Sequence, residues 1–133
     1  GQTPLQLAQA DHQIHVGEPV IIMSYPGTFD SILSRLSRTV SKGIIRQAGG
    51  DPVGLPEMLA KEGLIRPLTT HGYVSDVSKE VVTYEARATQ GSSGGAVLNR
   101  DGLVIAINHS QLKAIGGINM GVPIQIIREQ LNR

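Results

Sequence analysis

A glycine- and serine-rich loop that leads into two short apolar strands constrains this chain more than any other stretch. The loop is Gly-Ser-Ser-Gly-Gly at 91–95, and an apolar strand at 96–99, a polar turn and a second apolar strand at 103–109 follow it. The turn contains Asp101-Gly102, which is a hairpin signal, so the two strands are expected to pair antiparallel. Strands joined without long helical crossovers argue against a parallel sheet.

Ser93 has the surroundings that a nucleophilic hydroxyl needs. Acyl transfer requires room for the acyl group and backbone N–H groups that stabilise the oxyanion formed when the hydroxyl attacks a carbonyl. Glycines on both sides allow a turn that aims N–H groups inward and lets a substrate approach closely. We therefore interpret Ser93 as the nucleophile, and the N–H groups of Gly91 and Ser93 as an oxyanion hole.

Two other interpretations of this loop exist. The first is a flexible Gly/Ser loop without chemistry. The second is the nucleophile elbow of esterases, because Gly91-x-Ser93-x-Gly95 also fits the pattern G-x-S-x-G. An elbow must lead into a helix on a parallel sheet, whereas here a strand, a turn and another strand follow. The esterase interpretation therefore conflicts with the context of the motif.

The rest of the chain reads as short strands separated by turn signals, with little helix. Strands are predicted at 18–25, 38–47, 64–74 (interrupted by Pro67), 80–86, 96–99, 103–109 and 117–122. A short strand or a polar connecting arm is expected at 3–15, a loop at 29–36 and a short helix at 55–62. Pro123 opens a C-terminal helix in which Ile124, Ile127 and Leu131 share one face. This pattern predicts an all-β protein, a small antiparallel β-barrel of six to seven strands with a C-terminal α-helix, as one domain over 1–133.

Composition excludes several classes of protein. Hydrophobic residues make up 40% and charged residues 17% of the 133 residues, which is typical of a globular domain. The net charge of +1 without a basic cluster argues against a nucleic-acid partner. No apolar run approaches the roughly 18 residues of a membrane span. The chain has no cysteine, so it holds neither a disulfide nor a cysteine nucleophile, and no metal or cofactor is expected.

Four segments in the same order resemble the C-terminal half of a trypsin-like serine protease, most closely its cysteine-free HtrA-type branch. The segments are 16–27, 39–45, 84–108 and 117–124, and the third carries Gln90-Gly91-Ser92-Ser93-Gly94-Gly95. The likeness runs from about residue 4 to 131, with an unmatched stretch near 47–66. It implies the second barrel of a chymotrypsin-like fold, in which 16–27 and 39–45 are the opening two strands. It also implies a serine endopeptidase that acts on polypeptides, with a periplasmic or secreted location favoured.

The resemblance also suggests a set of substrate-binding residues. Arg87, six residues before Ser93, takes a position that can lie at the base of the specificity pocket, where a cation would favour acidic side chains. The alternative is that Arg87 lies on the surface beside a loop. Asn108, His109 and Ser110 are expected to form the wall along which a substrate strand pairs. Asn119 on the last strand is expected to face the same cavity.

The base and the orienting acid of a catalytic triad are not evident in this sequence. In the resembled family both lie on an N-terminal barrel, which is expected to be absent from this chain. Four histidines are present, His12, His15, His71 and His109, and each is interpreted as a surface or structural residue, with His109 the nearest to a catalytic position. Asp76 and Asp101 fall in predicted turns, where Asp is favoured for local hydrogen bonding. The isolated chain is therefore expected to be inactive toward peptides.

A different class of function is also compatible with this sequence. A non-catalytic pseudoprotease barrel could grip an extended peptide by strand addition. In either case, a chain that lacks its first barrel would expose an apolar face, and the low charged fraction leaves few charges to cover it. Self-association of the isolated chain into a homodimer through that face is the expected consequence.

Overall fold

Six antiparallel strands close into a barrel. The computed structural model describes residues 2–25, 27–51, 53–87, 91–111 and 116–133, except for the side chains of Asp30 and Ser110. The strands are β1 (Pro19–Ser24), β2 (Leu68–Val77), β3 (Val82–Ala86), β4 (Ala96–Leu98), β5 (Val104–Gln111) and β6 (Ile118–Pro123). Their order around the barrel is β1-β2-β3-β6-β5-β4. The predicted all-β antiparallel barrel is thereby confirmed, with six strands.

Alternation along the strands builds the barrel core. In β3, for example, Val82, Tyr84 and Ala86 are buried, whereas Glu85 is exposed. Because successive side chains of a strand point to opposite faces, these three residues share the inner face. The core consists of buried, mostly aliphatic side chains from five of the six strands, β1 to β5, from the N-terminal arm and from the C-terminal helix. Its strand residues include Val20, Ile22, Val74, Val82, Tyr84, Ala86, Val97, Ile105 and Ala106.

The C-terminal helix and the N-terminal arm both pack against β5. Helix α4 (Ile124–Leu131) begins directly after Pro123 and buries Ile124, as predicted, although Leu131 is exposed. The arm forms a parallel bridge between Leu7 and Val104. The Arg128 guanidinium holds the arm down, because Nε donates to the carbonyl of Ala8 at 2.6 Å. The arm predicted at 3–15 is therefore a packed part of the barrel wall.

A helical segment joins β1 to β2. Its helices are α1 (Phe29–Leu33), α2 (Arg38–Ala48) and α3 (Gly54–Lys61). They enclose a small core of their own, in which Ile32, Ile44 and Leu59 are buried. The predicted helix at 55–62 corresponds to α3, with Pro56 in its first turn.

The strand predicted at 38–47 is wrong, because these residues form α2. The Ser37 side chain caps the helix by accepting from the N–H of Val40 at 3.3 Å, and Gly49 ends it with a left-handed φ of 58°. Serine before and glycine after an 11-residue span are helix-end signals. The β-branched residues suggested a strand. In the helix, Ile44 is instead buried in a small core together with Leu59 of α3. The second strand of the barrel is β2, outside the segment 39–45 that the resemblance assigned to it.

Smaller differences concern boundaries. The loop predicted at 29–36 contains the short helix α1, capped by the Thr28 hydroxyl. The strand predicted at 64–74 begins after Pro67, since proline cannot donate to a sheet ladder, and it extends to Val77. The strand predicted at 80–86 begins at Val82.

Candidate active site

The serine loop turns sharply at two glycines. Gly91 has a φ of 91° and Gly94 a φ of 85°, backbone angles that side-chain-bearing residues rarely adopt. Between them, Ser92 is buried and Ser93 is exposed. The turn therefore separates two adjacent serines, one facing the barrel interior and one facing outward.

Backbone hydrogen bonds fasten the loop to β5. The N–H of Gly94 donates to the carbonyl of Asn108 at 2.7 Å, and the N–H of Asn108 donates to the carbonyl of Gly95 at 2.8 Å. The loop also lies close to β1, because a Cβ on Gly95 would fall 2.7 Å from the Ser24 Cβ and 2.8 Å from the Met23 carbonyl oxygen. Glycine is therefore required at 95 for the loop to lie this close to the barrel wall.

The Ser93 hydroxyl donates to the backbone carbonyl of His109 at 2.7 Å. His109 lies at an irregularity in β5, where the pairing with β6 shifts between Asn108 and Ser110. Such bulges occur often next to functional sites, where they re-aim the groups of a strand. In this arrangement the proton of Ser93 is held by a carbonyl oxygen, which is an acceptor but not a base.

The N–H groups of Gly91 and Ser93, which the sequence assigned to an oxyanion hole, belong to the same loop as the hydroxyl. Among the residues that the structure describes, neither the N–H of Gly91 nor that of Ser93 donates to an intramolecular acceptor, whereas the N–H groups of Gly94 and Gly95 both do. An oxyanion hole consists of donors that are not used by the protein itself. Within the described residues, therefore, neither N–H of the pair that the sequence suggested is taken by another part of the protein.

The serine loop borders an open, mainly apolar pocket of about 430 Å³. Its lining comes from the loop, the end of β1, the N-terminal arm and the return from the helical segment. The lining side chains outside the loop are Leu5, Met23, Ser24, Tyr25, Pro67 and Ala96. Leu5 is 47% and Tyr25 58% exposed, so the rim of the pocket is both apolar and accessible.

A buried polar chain lies behind the loop. The Tyr84 hydroxyl donates to Asn108 Oδ1, and Asn108 Nδ2 donates to the carbonyl oxygen of Ser92 at 3.0 Å and to the Ser92 hydroxyl at 3.1 Å. All three residues are at most 5% exposed. Burial disfavours a phenolate and raises the pKa of Tyr84 above its ordinary value. The three hydrogen-bonded side chains of Tyr84, Asn108 and Ser92 are therefore all uncharged.

The structure gathers some of the predicted substrate-binding residues and separates others. Asn108 and His109 lie against the serine loop, but Asn108 is buried and contributes from behind. The side chain of Ser110 lies outside the described residues. Arg87 is exposed on the other side of β3, in a depression shared with Tyr73 and Glu85, and it does not line the described part of the Ser93 pocket.

Asn119 is fully buried and does not reach an accessible cavity. Its Nδ2 donates to the carbonyl oxygen of Ala86 at 2.6 Å, which ties β6 to the end of β3. Residues 88–90 and 112–115 lie outside the described residues.

Among the described residues, no histidine side chain is hydrogen-bonded to Ser93. The partner of the Ser93 hydroxyl is the main chain of His109. His12 lies by α4 and His71 lies on the outer face of β2. Asp101 donates its N–H within the turn that Asn99 organises.

Among the described residues, no group of three or more His, Asp or Glu side chains is arranged to hold a metal ion. None of the helices described is long and apolar enough to cross a membrane.

Sequence reasoning missed the roles of Tyr84 and of the Asn108 side chain. The available signal was the polar hydroxyl of Tyr84 in a row of inward-facing apolar residues, since a buried tyrosine usually finds a hydrogen-bond partner. The partner itself is 24 residues away and on another strand. Only the closed barrel brings the two side chains together.

Comparison with known proteins supports a protease relationship. No curated protein matches the chain. A solved serine endoprotease from Yersinia pestis has a similar fold, with a TM-score of 0.62 and 17% sequence identity over 96% of this chain and 34% of that one. This chain thus spans about a third of the length of that protease. The trypsin-like peptidase domain family matches residues 1–107, which is most of the sequence. The chain belongs to the trypsin-like peptidase domain family.

Proposed function

We propose that this chain supplies the nucleophile and the oxyanion hole of a serine endopeptidase. One observation carries the proposal: the exposed hydroxyl of Ser93 lies on a glycine turn at the mouth of an accessible pocket, and the N–H groups of Gly91 and Ser93 have no acceptor among the described residues. Nucleophile, donors and space for an acyl group are the parts that acyl transfer requires of this half of a site.

The reaction uses these groups in a fixed sequence. Oγ of Ser93 attacks the scissile carbonyl carbon while a base takes the hydroxyl proton. The N–H groups of Gly91 and Ser93 donate to the resulting oxyanion. The tetrahedral intermediate then expels the amine, which receives the proton from the protonated base, and leaves an acyl group on Ser93. Water, deprotonated by the same base, hydrolyses that ester and restores the hydroxyl.

The base and its orienting acid are proposed to come from outside these 133 residues, on an N-terminal barrel. The Ser93 hydroxyl now donates to the His109 carbonyl, so an incoming imidazole would compete with that carbonyl for the proton. The apolar rim formed by Leu5 and Tyr25 is then the surface that the N-terminal barrel covers. In an isolated chain the same rim is proposed to drive association into a homodimer.

The substrate is proposed to be a polypeptide that runs along β5 near His109. Arg87 is proposed to favour acidic side chains of a substrate only where the substrate reaches the depression that Arg87 shares with Tyr73 and Glu85. A non-catalytic peptide-binding barrel is the alternative function, and the observation in its favour is the hydrogen bond that holds the Ser93 proton on a carbonyl rather than on a base.

Substitution of each loop serine in the intact protein tests the proposal. Ser93→Ala should lower kcat about 10⁶-fold, because triad members act as a unit. Fluorophosphonate labelling should be absent in Ser93→Ala and persist in Ser92→Ala. Ser34→Ala, an exposed hydroxyl at the end of α1, serves as the matched control and should keep wild-type turnover. Full activity of Ser93→Ala would refute the enzyme and leave the binding barrel.

The isolated chain provides a second test. Without a base, the oxyanion hole alone offers about 10³–10⁴-fold over water, which is too slow to detect as proteolysis. We expect no fluorophosphonate labelling of the isolated chain at the rate typical of serine proteases. Labelling at that rate, abolished by His109→Ala, would instead identify a base within this chain.

A further inference from the structure

We propose that Tyr84 and Asn108 are positioning residues that aim the Ser93 N–H into the oxyanion hole by holding the carbonyl of Ser92. This inference rests on the proposed function of Ser93 and concerns residues that make no contact with a substrate. It follows from the orientation of the buried Asn108 amide, from the planarity of the peptide group between Ser92 and Ser93, and from the burial of Tyr84, Asn108 and Ser92.

The orientation of the Asn108 amide is determined by its partners. The backbone oxygen of Ser92 can only accept a hydrogen bond, so the group that faces it must be the Nδ2 donor. Oδ1 then faces Tyr84, and the phenol must donate to it. Both donors of Nδ2 go to Ser92, one to its carbonyl oxygen and one to its hydroxyl.

The carbonyl of Ser92 and the N–H of Ser93 belong to the same peptide group. A trans peptide is planar, so its C=O and N–H point in opposite directions. A side chain that fixes where the Ser92 oxygen points therefore also fixes where the Ser93 N–H points. The Ser92 oxygen also accepts from the N–H of Gly95 at 3.0 Å, so Asn108 supplies the second of two bonds that hold this plane.

Burial makes this contact firm. Tyr84 has no exposed surface, Asn108 is 2% exposed and Ser92 is 5% exposed. Water cannot replace a lost partner at such a position without a rearrangement, and an unmatched polar group there is costly. Tyr84 on β3 thus fixes Asn108 on β5, and Asn108 fixes the loop.

Asn108→Asp in the intact protein is the decisive substitution. The two side chains have nearly the same shape, but a carboxylate has no donor and would repel the Ser92 oxygen. We expect kcat to fall about 10²-fold, comparable to the loss of one oxyanion donor, with a much smaller change in KM. A purely structural role would lower the amount of folded enzyme and leave the kcat of the folded fraction unchanged.

A pH profile gives the second readout. When the introduced carboxyl is protonated, it can donate one hydrogen bond to the Ser92 oxygen, and burial raises the pKa of such a group above its ordinary value. Tyr84, the titratable side chain hydrogen-bonded to this position, stays protonated in this range. The ratio of variant to wild-type kcat should therefore rise as the pH falls. A ratio that is constant with pH would contradict the proposal.

Two further variants keep the outcome clear. Asn99→Ala removes a buried amide that accepts from Asp101 and Leu103 in the β4–β5 turn, so it controls for lost stability and should keep wild-type kcat. Should Asn108→Asp fail to fold, Tyr84→Phe tests the positioning role instead. We expect Tyr84→Phe to lower kcat about tenfold, because the Asn108 amide loses one of its hydrogen bonds.

The results separate this inference from the proposed function. An inactive Ser93→Ala together with an Asn108→Asp kcat within about twofold of wild type would overturn the positioning role and leave the protease standing. An active Ser93→Ala would overturn the protease itself.

Discussion

The barrel and the helical segment are both held by aliphatic side chains, but they bury very different numbers of them. Among the described residues, eleven buried residues form the barrel core, whereas three form the core of α1–α3. Every barrel strand also has two hydrogen-bonded neighbours, so none has a free edge. The helical segment, in contrast, is stabilised by the small core that its three short helices share. Its local free energy of unfolding is therefore expected to be the lower of the two.

The two regions meet at the candidate site. Tyr25 and Pro67, at the two ends of the helical segment, line the same pocket as Ser93. The loop that carries Ser93, the proposed nucleophile, is held by the barrel through the bonds of Gly94 and Gly95 to Asn108. The proposed nucleophile therefore belongs to the region with the larger core, whereas part of the pocket rim belongs to the region with the smaller one.

The largest expected effect comes from equal truncations in the two cores. Ile105 in the barrel and Leu59 in α3 are both fully buried, and each Ala substitution should cost about 2–5 kcal/mol. Ile105→Ala should lower the midpoint of global unfolding. Leu59→Ala should instead raise amide exchange in α2 and α3 first. Exchange that rises equally in both regions after Leu59→Ala would show that they unfold as one unit.

A glycine-to-alanine pair should give effects of opposite sign. Gly95→Ala places a Cβ against Ser24 and the Met23 carbonyl, and it should destabilise by about 1–3 kcal/mol through overpacking. Gly43→Ala lies inside α2, with nothing within 4 Å of the new Cβ, and should stabilise by about 0.5–1 kcal/mol. Chemical denaturation measures both. Destabilisation by Gly43→Ala would argue against a helix at 38–48.

The smallest expected effect is a pH dependence specific to the barrel. The folded state raises the pKa of Tyr84 above the ordinary value of about 10, so the folded protein binds this proton more tightly than the unfolded chain does. Its contribution to stability is complete below about pH 10 and is lost as the pH rises further. The stability difference between wild type and Tyr84→Phe should therefore shrink above pH 10. A constant difference between pH 8 and 11 would contradict the buried phenol.

Local sequence signals predicted the barrel well because its strands have strong local signatures. Alternation and turn residues identified the hairpin that follows Ser93, and the prolines and glycines placed most strand ends. The prediction failed at 38–47, where β-branched residues and the resemblance outweighed the helix-end signals of Ser37 and Gly49. Whether Ile44 packs against a sheet or against α3 depends on a partner 15 residues away, Leu59, and no local pattern reports that.

The sequence by itself determined the antiparallel strands, the turn chemistry of the serine loop and the identity of the exposed serine, because these depend on backbone angles that neighbouring residues set. Only the tertiary structure decided what stands behind that serine. Tyr84, Asn108 and Ser92 are brought together by barrel closure, which joins β3 to β5 through β6 and folds the loop back onto β5. Their partnership is long-range, and a buried polar group finds its partner only once the chain has folded around it.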